Sequence, residues 1–347
     1  MTQIPIVVLN WNGIDDTIEC IESLLDLQSS DYHIFLIDNG SNNKQGQELK
    51  NRYDKNGKIT VILYSENLGF AKAHIKIWND RLKNLNVPYI ALINNDTLVD
   101  ENWLTSIISF AQLYDVDIVS SKMIDYYRRD LMDNAGHQML NTGEIIPIGF
   151  SMPIENFEVP FPNIGACGGA ALYSKSMLEE IGFFDPYFDT GYEDAELGLR
   201  AIISGYKCMF NPDAVIYHKR GVSIKKVFNI EYSIMIQTSI LYSYFKLIPA
   251  NIILLSIPSL IFKHMSIVLI DIIFRRWNYL YIWRKSWTNL FTIKGLIQAK
   301  RKEFYAKIHI SISFKKFTSL TKFFLPFDIR RFWRIIVRKQ ASALDNY

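Results

Sequence analysis

The sequence is poor in cysteine and has no long uninterrupted apolar run. Its three cysteines, Cys20, Cys167 and Cys208, show neither paired spacing nor the spacing of metal ligands, so a disulfide framework is not expected. The chain also does not open with a basic segment followed by an apolar run, which argues against secretion. We therefore expect a protein whose acidic part faces the reducing cytoplasm.

The longest apolar stretch covers residues 247–262 and falls short of the ~18 uninterrupted apolar residues that span a bilayer. Lys263, His264 and Asp271 interrupt the residues that follow it. Internal repeats and low-complexity tracts are absent as well. With 347 residues, of which 49% are hydrophobic, the chain is long enough to bury one full-sized core and a second, smaller unit.

Acidic residues are scarce in the C-terminal part of the chain. From Lys219 onward the sequence holds 23 of its 38 basic residues but only 5 of its 35 acidic residues, which gives a formal charge of +18. The residues before Lys219 therefore carry −15. A basic segment rich in aromatic residues suits an anionic surface, either phospholipid headgroups or nucleic acid. This division predicts two domains, residues 1–224 and residues 225–347.

The basic segment predicts amphipathic helices that lie in a membrane interface, at the cytoplasmic face and without crossing it. Aromatic side chains would sit at headgroup depth, and basic side chains would contact anionic lipid. The residues concerned are Trp277, Tyr279, Tyr281, Trp283 and Trp287, with Arg275, Arg276, Arg284 and Lys285. Two alternatives stay open: an ordinary helical subdomain with a basic solvated face, and a hairpin that spans the bilayer.

The first hundred residues alternate strand and helix signals, a pattern typical of a parallel sheet with crossover helices. A helix is predicted over residues 15–27, where the apolar residues share one face. Short apolar runs predict strands over residues 4–9, 33–38, 59–65 and 89–94. A second helix is predicted over residues 193–204, followed by a strand that ends at His218.

Polar residues directly follow several of the predicted strands. They occupy residues 10–12, 38–41, 67–69 and 94–96. In an open α/β sheet, ligands bind in the crevice outside the carboxyl ends of the strands. Loops are often polar in any case, but four such ends favour a shared binding site.

Asp96 is a carboxylate at a strand end, where a divalent cation such as Mg²⁺ or Mn²⁺ could hold a diphosphate. His218 ends another apolar run and is the candidate second ligand. Glu193 and Asp194 stand together at a predicted helix start, where capping needs one acid and not two. One of them could act as a general base that accepts a proton from an attacking hydroxyl.

Seven segments in order resemble the inverting family 2 glycosyltransferases, especially bacterial rhamnosyltransferase-like members. They are VLNWNG (8–13), IDNGSNN (37–43), ENLGFAKA (66–73), LINNDTLVD (92–100), GGAALYSKSMLEEIGFFDPYF (168–188), GYEDAELGLR (191–200) and YHKRGVS (217–223). The resemblance covers about residues 3–225. It implies a GT-A fold, which is a Rossmann-like α/β fold with a mostly parallel sheet flanked by helices, and displacement of a nucleotide-sugar with inversion at the anomeric carbon.

The resemblance also implies a role for each matching residue. Asn10, Asn12, Asn67 and Gly69 would line the nucleotide pocket, and Asp38 would hydrogen-bond the pyrimidine base. Asn95 and Asp96 stand at the family's DxD-like motif, with Asp96 as metal ligand and His218 completing the metal or diphosphate shell. Asp194 would be the catalytic base, with Glu193 beside it at the donor. Gly168 and Gly169 would form a close-packed wall between donor sugar and acceptor.

One departure from the family pattern concerns the metal. The first acid of the usual motif is Asn94 here, so an amide would make its contact. The implied cofactor is Mg²⁺ or Mn²⁺, and the implied partners are a dTDP- or UDP-sugar donor, a lipid-linked or oligosaccharide acceptor, and an anionic membrane surface. The preferred donor is dTDP-rhamnose, used to build a polysaccharide such as O-antigen or capsule. UDP-galactose, UDP-galactofuranose and a UDP-N-acetylhexosamine are the alternative donors.

Two other classes compete with this interpretation. A non-catalytic protein whose basic part binds nucleic acid would use residues 219–347 to contact phosphates. We do not expect a nucleic-acid partner, because the segment resemblance points elsewhere. A nucleotidyltransferase would need a glycine-rich, basic triphosphate loop after the first strand, whereas NWNGIDDT (10–17) is acidic.

Overall fold

The computed structural model describes residues 3–29, 31–219, 229–308 and 314–332. Their contacts divide the chain into two compact units. The first, here called the sheet unit, is Met1–His137 with Pro147–Val222. The second, the helical unit, is Gln138–Ile146 with Ser223–Tyr347. It combines a short internal segment with the C-terminal part of the chain.

The sheet unit alternates strands and helices along its first half. Its strands are β1 (Ile4–Asn10), β2 (Tyr32–Asn39), β3 (Ile59–Tyr64), β4 (Tyr89–Asn94), β5 (Thr97–Val99), β6 (Ile118–Asp125), β7 (Met132–Asn134), β10 (Phe161–Pro162), β11 (Ala170–Ser174) and β12 (Cys208–His218), with β8 (His137–Leu140) and β9 (Ile145–Pro147) at its junctions with the helical unit. Its helices are α1 (Ile14–Leu25), α2 (Gln45–Tyr53), α3 (Phe70–Asp80), α4 (Trp103–Tyr114), α5 (Lys175–Ile181) and α6 (Glu193–Ile203), with short 3₁₀ turns at Leu82–Asn84 and Ile154–Asn156.

The main sheet has the strand order β10-β12-β6-β11-β4-β1-β2-β3, with β5 beside β12 and β7 beside β6. Strands β3, β2, β1 and β4 run parallel to one another, and β6 runs parallel to β12. Strand β11 is antiparallel to both of its neighbours, β4 and β6. The carboxyl ends of β1, β2 and β4 therefore meet at one edge, where parallel sheets bind ligands.

Local sequence explains these elements. The β1 run IPIVVLN is buried almost throughout, as expected of a strand covered on both faces. Helix α1 buries Cys20, Ile21 and Leu24 along one stripe, in the same core cluster as Ile6 and Val8. Each predicted strand and helix of the first hundred residues is confirmed, as are the helix from residue 193 and the strand ending at His218.

The helical unit consists of α7 (Ile230–Leu247), α8 (Ala250–Ile273), α9 (Trp277–Thr292), α10 (Lys294–Lys307), α11 (Phe314–Leu320) and α12 (Leu325–Phe332). Strand β13 (Thr321–Lys322) pairs in parallel with Met139 and Leu140 of β8, in a small sheet of order β13-β8-β9. The three cysteines are free thiols, all of them outside this unit, and Cys20 and Cys208 are buried.

Helix α8 continues through the charged residues that interrupt its sequence. Lys263 is buried and pairs with Glu144, while Asp271 is buried and lies 3.4 Å from the Arg276 guanidinium. The resulting helix of 24 residues is long and apolar enough, by length and composition, to cross a membrane, and among the described residues it alone meets that test. Its exposed apolar side chains form the surface called here the apolar face: Leu254, Leu255, Ile261, Phe262, Met265, Leu269, Ile272 and Ile273.

Candidate active site

The ends of β1 and β2 are tied together by buried polar side chains. Asn10 and Asp38 are paired in the sheet register, and the Asn10 amide donates to Asp38 Oδ1 at 2.7 Å and to Ser41 Oγ at 3.1 Å. The Ser41 backbone N–H donates to the other Asp38 oxygen, Oδ2, at 3.1 Å. These bonds satisfy polar groups that would be costly to bury alone, and they fix the floor of the crevice.

The loop after β1 is held against the loop after β2. Asn12 has φ +54°, a left-handed conformation that asparagine tolerates better than most residues. Its backbone N–H donates to Ser41 Oγ at 2.9 Å, and its side-chain oxygen accepts the Asn42 N–H at 2.8 Å. Asn12 therefore joins the two loops at the predicted nucleotide pocket.

The loop before α3 is organised by Asn39, which lies in the predicted polar stretch 38–41 but has no individual role predicted from the sequence. Its side-chain amide donates to Asn67 Oδ1 at 2.9 Å and to the Gly69 carbonyl at 3.2 Å, and its oxygen accepts the Leu68 N–H at 3.1 Å. Asn39 is almost fully buried at the end of β2, next to Asp38. The side-chain amide of Asn39 thus holds two predicted site residues, Asn67 and Gly69, at the end of β2. This contact is visible only in the folded chain.

Gly69 lies very close to the chain segment that contains Asp189. Its φ is +76°, and a Cβ at this position would lie 2.2 Å from Asp189 Oδ1. Two backbone bonds fix the same contact, since Ala71 N donates to the Asp189 carbonyl and Phe70 N to Thr190 Oγ1. The start of α3 and the segment before Glu193 are therefore packed together, and only glycine fits between them.

Asn94 and Asn95, at the end of β4, contact different parts of the chain. The Asn95 side chain donates to Thr17 Oγ1 at 2.8 Å and to the Gly13 carbonyl at 3.4 Å, so it holds the start of α1. The Asn94 backbone N–H donates to the Gly169 carbonyl at 2.9 Å. A Cβ at Gly169 would lie 3.2 Å from the Asn94 side-chain nitrogen, so the glycine pair at 168–169 packs closely on the end of β4.

Asp96 and His218 meet at the ends of paired strands. His218 Nε2 lies 3.3 Å from Asp96 Oδ1, and the Lys219 backbone N–H donates to the Asp96 carbonyl. The second ring nitrogen of His218, Nδ1, lies 2.8 Å from Asp133 Oδ2 on β7. The structure thus unites the two predicted ligands and adds Asp133, which comes from an irregular stretch of sequence.

Two buried carboxylates on one imidazole give this cluster an excess of negative charge. Burial opposes protonation of His218, but Asp96 and Asp133 outweigh it and raise the pKa of His218 to about 10. Burial would raise the pKa of Asp96, yet the charge and hydrogen bond of His218 lower it overall. At neutral pH the ring of His218 therefore carries a proton between the two carboxylates, and a divalent cation bound there would take the place of that proton.

Asp96 and His218 together offer only part of the coordination shell of a small divalent cation. Asp96 offers a hard oxygen and His218 a nitrogen, both of which Mg²⁺ or Mn²⁺ can accept. Within the described ranges, no group of three or more His, Cys, Asp or Glu side chains is arranged to hold a metal ion. A cation bound here would take its remaining ligands from water and substrate phosphate oxygens, as Mg²⁺ commonly does.

Asp194 faces the glycine wall. Its Oδ2 accepts the Gly168 backbone N–H at 2.8 Å, and its Oδ1 accepts the Ala195 N–H at 2.7 Å. Both oxygens are therefore oriented by backbone donors, and the residue is half-buried rather than enclosed. A carboxylate held in this way has free lone pairs with which to accept a proton.

Arg200 anchors the helix that carries Asp194. Arg200 is buried, pairs with Glu196 at 2.9 Å, and donates to the carbonyls of Ile181, Gly182 and Phe183. At the helix start, Tyr192 has φ +75°, which is a strained conformation for an aromatic residue. Strain of this kind is typical of functional sites, where the surrounding contacts hold it in place.

Glu193 differs from its neighbour. It is buried, and burial together with the charge of Asp194 raises the pKa of Glu193 to about 8. Its Oε2 has no hydrogen-bond partner within the described part of the chain. At neutral pH the Glu193 carboxyl therefore keeps its proton and can donate a hydrogen bond, whereas Asp194 beside it accepts them.

Comparison with known proteins identifies the family of this chain. The family described as "Glycosyl transferase family 2" matches residues 6–182, more than half of the chain. The chain belongs to glycosyl transferase family 2. The matched range includes the β1, β2 and β4 ends and the glycine wall, while Asp194 and His218 follow it.

Two curated relatives are themselves glycosyltransferases. The bifunctional glycosyltransferase pgtA of Dictyostelium discoideum is 32% identical over 108 residues, which is 30% of this chain and 14% of that protein. Glycosyltransferase GlyG of Streptococcus pneumoniae serotype 4 is 26% identical over 132 residues, 37% of this chain and 41% of that protein. The chain thus spans well under two thirds of the length of either relative.

A solved structure confirms the fold. The crystal structure of GalNAc-T7 with UDP, GalNAc and Mn²⁺ aligns with a TM-score of 0.56 at 14% sequence identity. The alignment covers 71% of this chain and 48% of that one. At this level of identity the similarity shows the fold alone, and it confirms the predicted GT-A architecture for this family 2 member.

Proposed function

We propose that this family 2 member transfers a sugar from a nucleotide-sugar donor to an acceptor hydroxyl, with inversion at the anomeric carbon. The observation that carries the proposal is the placement of Asp194. Its carboxylate is fixed on the backbone of Gly168, while Gly169 packs on the strand end that leads to Asp96. Asp194 and the strand end that precedes Asp96 thus pack against two adjacent glycines, Gly168 and Gly169.

In the proposed reaction, the acceptor oxygen attacks the anomeric carbon from the side opposite the diphosphate. Asp194 accepts the proton of that hydroxyl while the new carbon–oxygen bond forms. The bond between the anomeric carbon and the diphosphate oxygen breaks, and the nucleoside diphosphate leaves with the bonding electrons. One displacement of this kind inverts the configuration.

Asp96 and His218 would hold Mg²⁺ or Mn²⁺, with Asp133 fixing the imidazole. When bound, such a cation neutralises charge on the departing diphosphate. The GalNAc-T7 structure, which contains Mn²⁺ together with UDP, is in keeping with this choice. Lys219, next to His218, is bonded to Asp16 and Glu19, so it fixes the position of the histidine rather than adding free charge.

The proposed donor is dTDP-rhamnose, with UDP-galactose, UDP-galactofuranose or a UDP-N-acetylhexosamine as alternatives. The nucleotide would bind at the strand ends and loops that carry Asn10, Asn12, Asp38, Asn67 and Gly69. Asn95 supports these loops through the start of α1, and protonated Glu193 lies beside the proposed base. The donor sugar would contact the wall at Gly168 and Gly169.

The proposed acceptor is a lipid-linked or growing cell-surface polysaccharide at the cytoplasmic face of the membrane. The charge of +18 from Lys219 onward and the apolar face of α8 support a membrane location. Trp277 and Tyr281 are exposed, as an interfacial role needs. Trp283 and Trp287 pack partly on His264 inside the helical unit, so they contribute less to such a surface.

The proposal is tested by Asp96→Ala with Asn94→Asp as the matched comparison. Calorimetry with dTDP- and UDP-sugars, with and without Mn²⁺, should show metal-dependent binding to the unaltered chain. Asp96→Ala should abolish metal-dependent binding and transfer. Asn94→Asp adds a second carboxylate at the neighbouring strand end and should keep activity while tightening Mn²⁺ binding. An Asp96→Ala variant that stays active and is indifferent to metal would overturn the proposal.

A further inference from the structure

The helical unit contains a cavity whose lining residues all belong to that one compact unit and include none of the residues proposed for the transfer reaction. Its volume is about 460 Å³, within the ~300–1,000 Å³ typical of small-molecule sites. Side chains of α7, α8 and α9 form most of its wall, and the start of α12 completes it.

The wall is mainly apolar, with aliphatic and aromatic side chains and a smaller number of polar ones such as Ser233 and Gln237. Ile236 and Ile240 come from α7, Ile267 and Ile270 from α8, and Ile282 from α9. Such a lining gains little from a polar ligand, because a buried polar group without a partner is costly. An apolar ligand of flexible shape is the better match.

The charged side chains of the wall are already paired. Lys263 is bonded to Glu144 and also lies 3.3 Å from Thr142 Oγ1, and Arg276 pairs with Asp271. Glu144 neutralises the buried Lys263, and breaking a buried ion pair is costly. Asp271 neutralises the partly exposed Arg276, so neither cation is left with a free charge for a phosphate or diphosphate. The cavity therefore suits an uncharged chain, with any charged headgroup left outside.

The cavity borders the apolar face of α8, because the ring of Phe324, which lines the cavity, lies 6.1 Å from the ring of Phe262 on that face. Phe274 and Ile329 both line the cavity and are 45% and 57% exposed, so they mark its mouth. The apolar face repeats every three to four residues along the same helix that supplies Ile267 and Ile270. If this face contacts a bilayer, acyl chains lie directly at the mouth.

We propose that the cavity takes up one acyl chain of an ordinary bilayer phospholipid, whose headgroup stays in the membrane interface. The bound chain would complete the packing of α7, α8 and α9 and hold the helical unit on the membrane. The inference rests on the proposed membrane location and not on the proposed transfer reaction.

The test uses the full chain and vesicles of phosphatidylcholine and phosphatidylglycerol that contain a phosphatidylcholine with a photoreactive diazirine in its acyl chain. Flotation first measures binding to the vesicles. After illumination, peptide mapping should find adducts on Ile240, Ile267 and Ile270, in addition to adducts on the apolar face. Excess unlabelled phosphatidylcholine should remove the cavity adducts.

Ile267→Trp fills the cavity from α8 and should lower the cavity adducts about ten-fold, the effect of roughly 1.4 kcal/mol of lost affinity. Adducts at Leu254 and Phe262 should not change. Ile261→Trp, on the exposed side of the same helix, is the matched control and should keep the cavity adducts. Ile240→Trp fills the cavity from α7 and serves as the second variant if circular dichroism shows that the first is misfolded.

Three results would overturn the inference while leaving the transfer reaction untouched. The first is a chain that floats with the vesicles but carries adducts on the apolar face alone. The second is competition by an isoprenyl diphosphate and not by phosphatidylcholine, which would make the cavity an acceptor site. The third is cavity adducts that arise only after deletion of residues 333–347, which would make the chain's own end the occupant. A chain that does not float overturns the membrane location and the inference with it.

Discussion

Asp133 Oδ2 lies 2.8 Å from His218 Nδ1, while the opposite ring nitrogen of His218 faces Asp96 Oδ1 at 3.3 Å. A carboxylate bonded to the far side of a metal-binding histidine fixes the orientation of the ring and increases the basicity of the ligating nitrogen. Asp133 is itself buried, so its position is set by the fold. We therefore expect Asp133 to act as a positioning residue for the proposed metal site.

Asp133→Asn should weaken Mn²⁺ binding by about 10- to 100-fold, because loss of such a partner frees the ring to reorient. The measurement is Mn²⁺ affinity by electron paramagnetic resonance, with no sugar transfer needed. Asp130→Asn changes an exposed carboxylate of the same segment and should leave the affinity unchanged. Equal Mn²⁺ affinities in Asp133→Asn and the unaltered chain would show that Asp133 has a structural role only.

Gly69→Ala should damage both stability and nucleotide binding. Its Cβ would clash with Asp189, and φ +76° is strained for alanine, so we expect a loss of ~1–3 kcal/mol in the free energy of unfolding. Urea unfolding and nucleotide calorimetry measure the two effects. Gly57→Ala is the matched control, because a Cβ there meets nothing within 4 Å. Similar behaviour of the two variants would contradict the close packing of α3 on residue 189.

Glu193→Gln should change how stability depends on pH. Burial first, and then the charge of Asp194, raise the pKa of Glu193 from 4.5 to about 8, with Asp189 adding to the effect. Between these values the folded chain binds a proton that the unfolded chain has lost, so the stability contributed by Glu193 falls as pH rises. A glutamine cannot ionise and removes this loss.

The variant should therefore gain stability relative to the unaltered chain by roughly 1 kcal/mol per pH unit between about pH 5 and pH 8. Urea unfolding at several pH values measures the difference. The buried neighbour Tyr173 stays protonated throughout, since burial raises its pKa well above the usual value. A constant difference across this range would mean that Glu193 is ionised in the folded protein.

Asp194→Asn should remove transfer and spare donor binding. An asparagine oxygen can still accept the Gly168 N–H, so that contact is kept, while the amide nitrogen can neither accept the Ala195 N–H nor take a proton. Loss of a general base lowers the rate by about 10²- to 10⁴-fold. Turnover and donor affinity should be measured side by side, with the exposed Asp213→Asn as control. Full turnover by Asp194→Asn would remove this residue from the base role.

Much of the sheet unit follows from local sequence. The strands Ile4–Asn10, Tyr32–Asn39 and Tyr89–Asn94 coincide with apolar runs, because a strand covered on both faces shows no apolar–polar alternation. Strand Ile59–Tyr64 also follows an apolar run, although it lies at the sheet edge and is only partly buried. Parallel strands place the polar residues at their carboxyl ends on the same edge of the sheet. The sequence therefore predicts the pairing of Asp96 with His218, although 122 positions separate them along the chain.

Other parts depend on pairings that no local pattern encodes. Asp133 reaches His218 through β7, a strand of three residues in an irregular region. Asn39 follows Asp38 in sequence, yet its partners lie 28 to 30 residues away. Lys263 and Asp271 interrupt an apolar stretch in sequence, whereas in the fold Glu144 and Arg276 neutralise them. Each of these features is a long-range or side-chain contact that only the assembled chain defines.

A donor screen tests the proposed glycosyl transfer most directly. Membranes that contain the chain are incubated with dTDP-, UDP- and GDP-sugars, and release of nucleoside diphosphate is recorded with and without acceptor lipid and Mn²⁺. We expect acceptor-dependent and Mn²⁺-dependent release from dTDP-rhamnose, which Asp96→Ala and Asp194→Asn abolish. If no sugar nucleotide in the panel gives acceptor-dependent release, or if both variants release it as the unaltered chain does, the proposed transfer is contradicted.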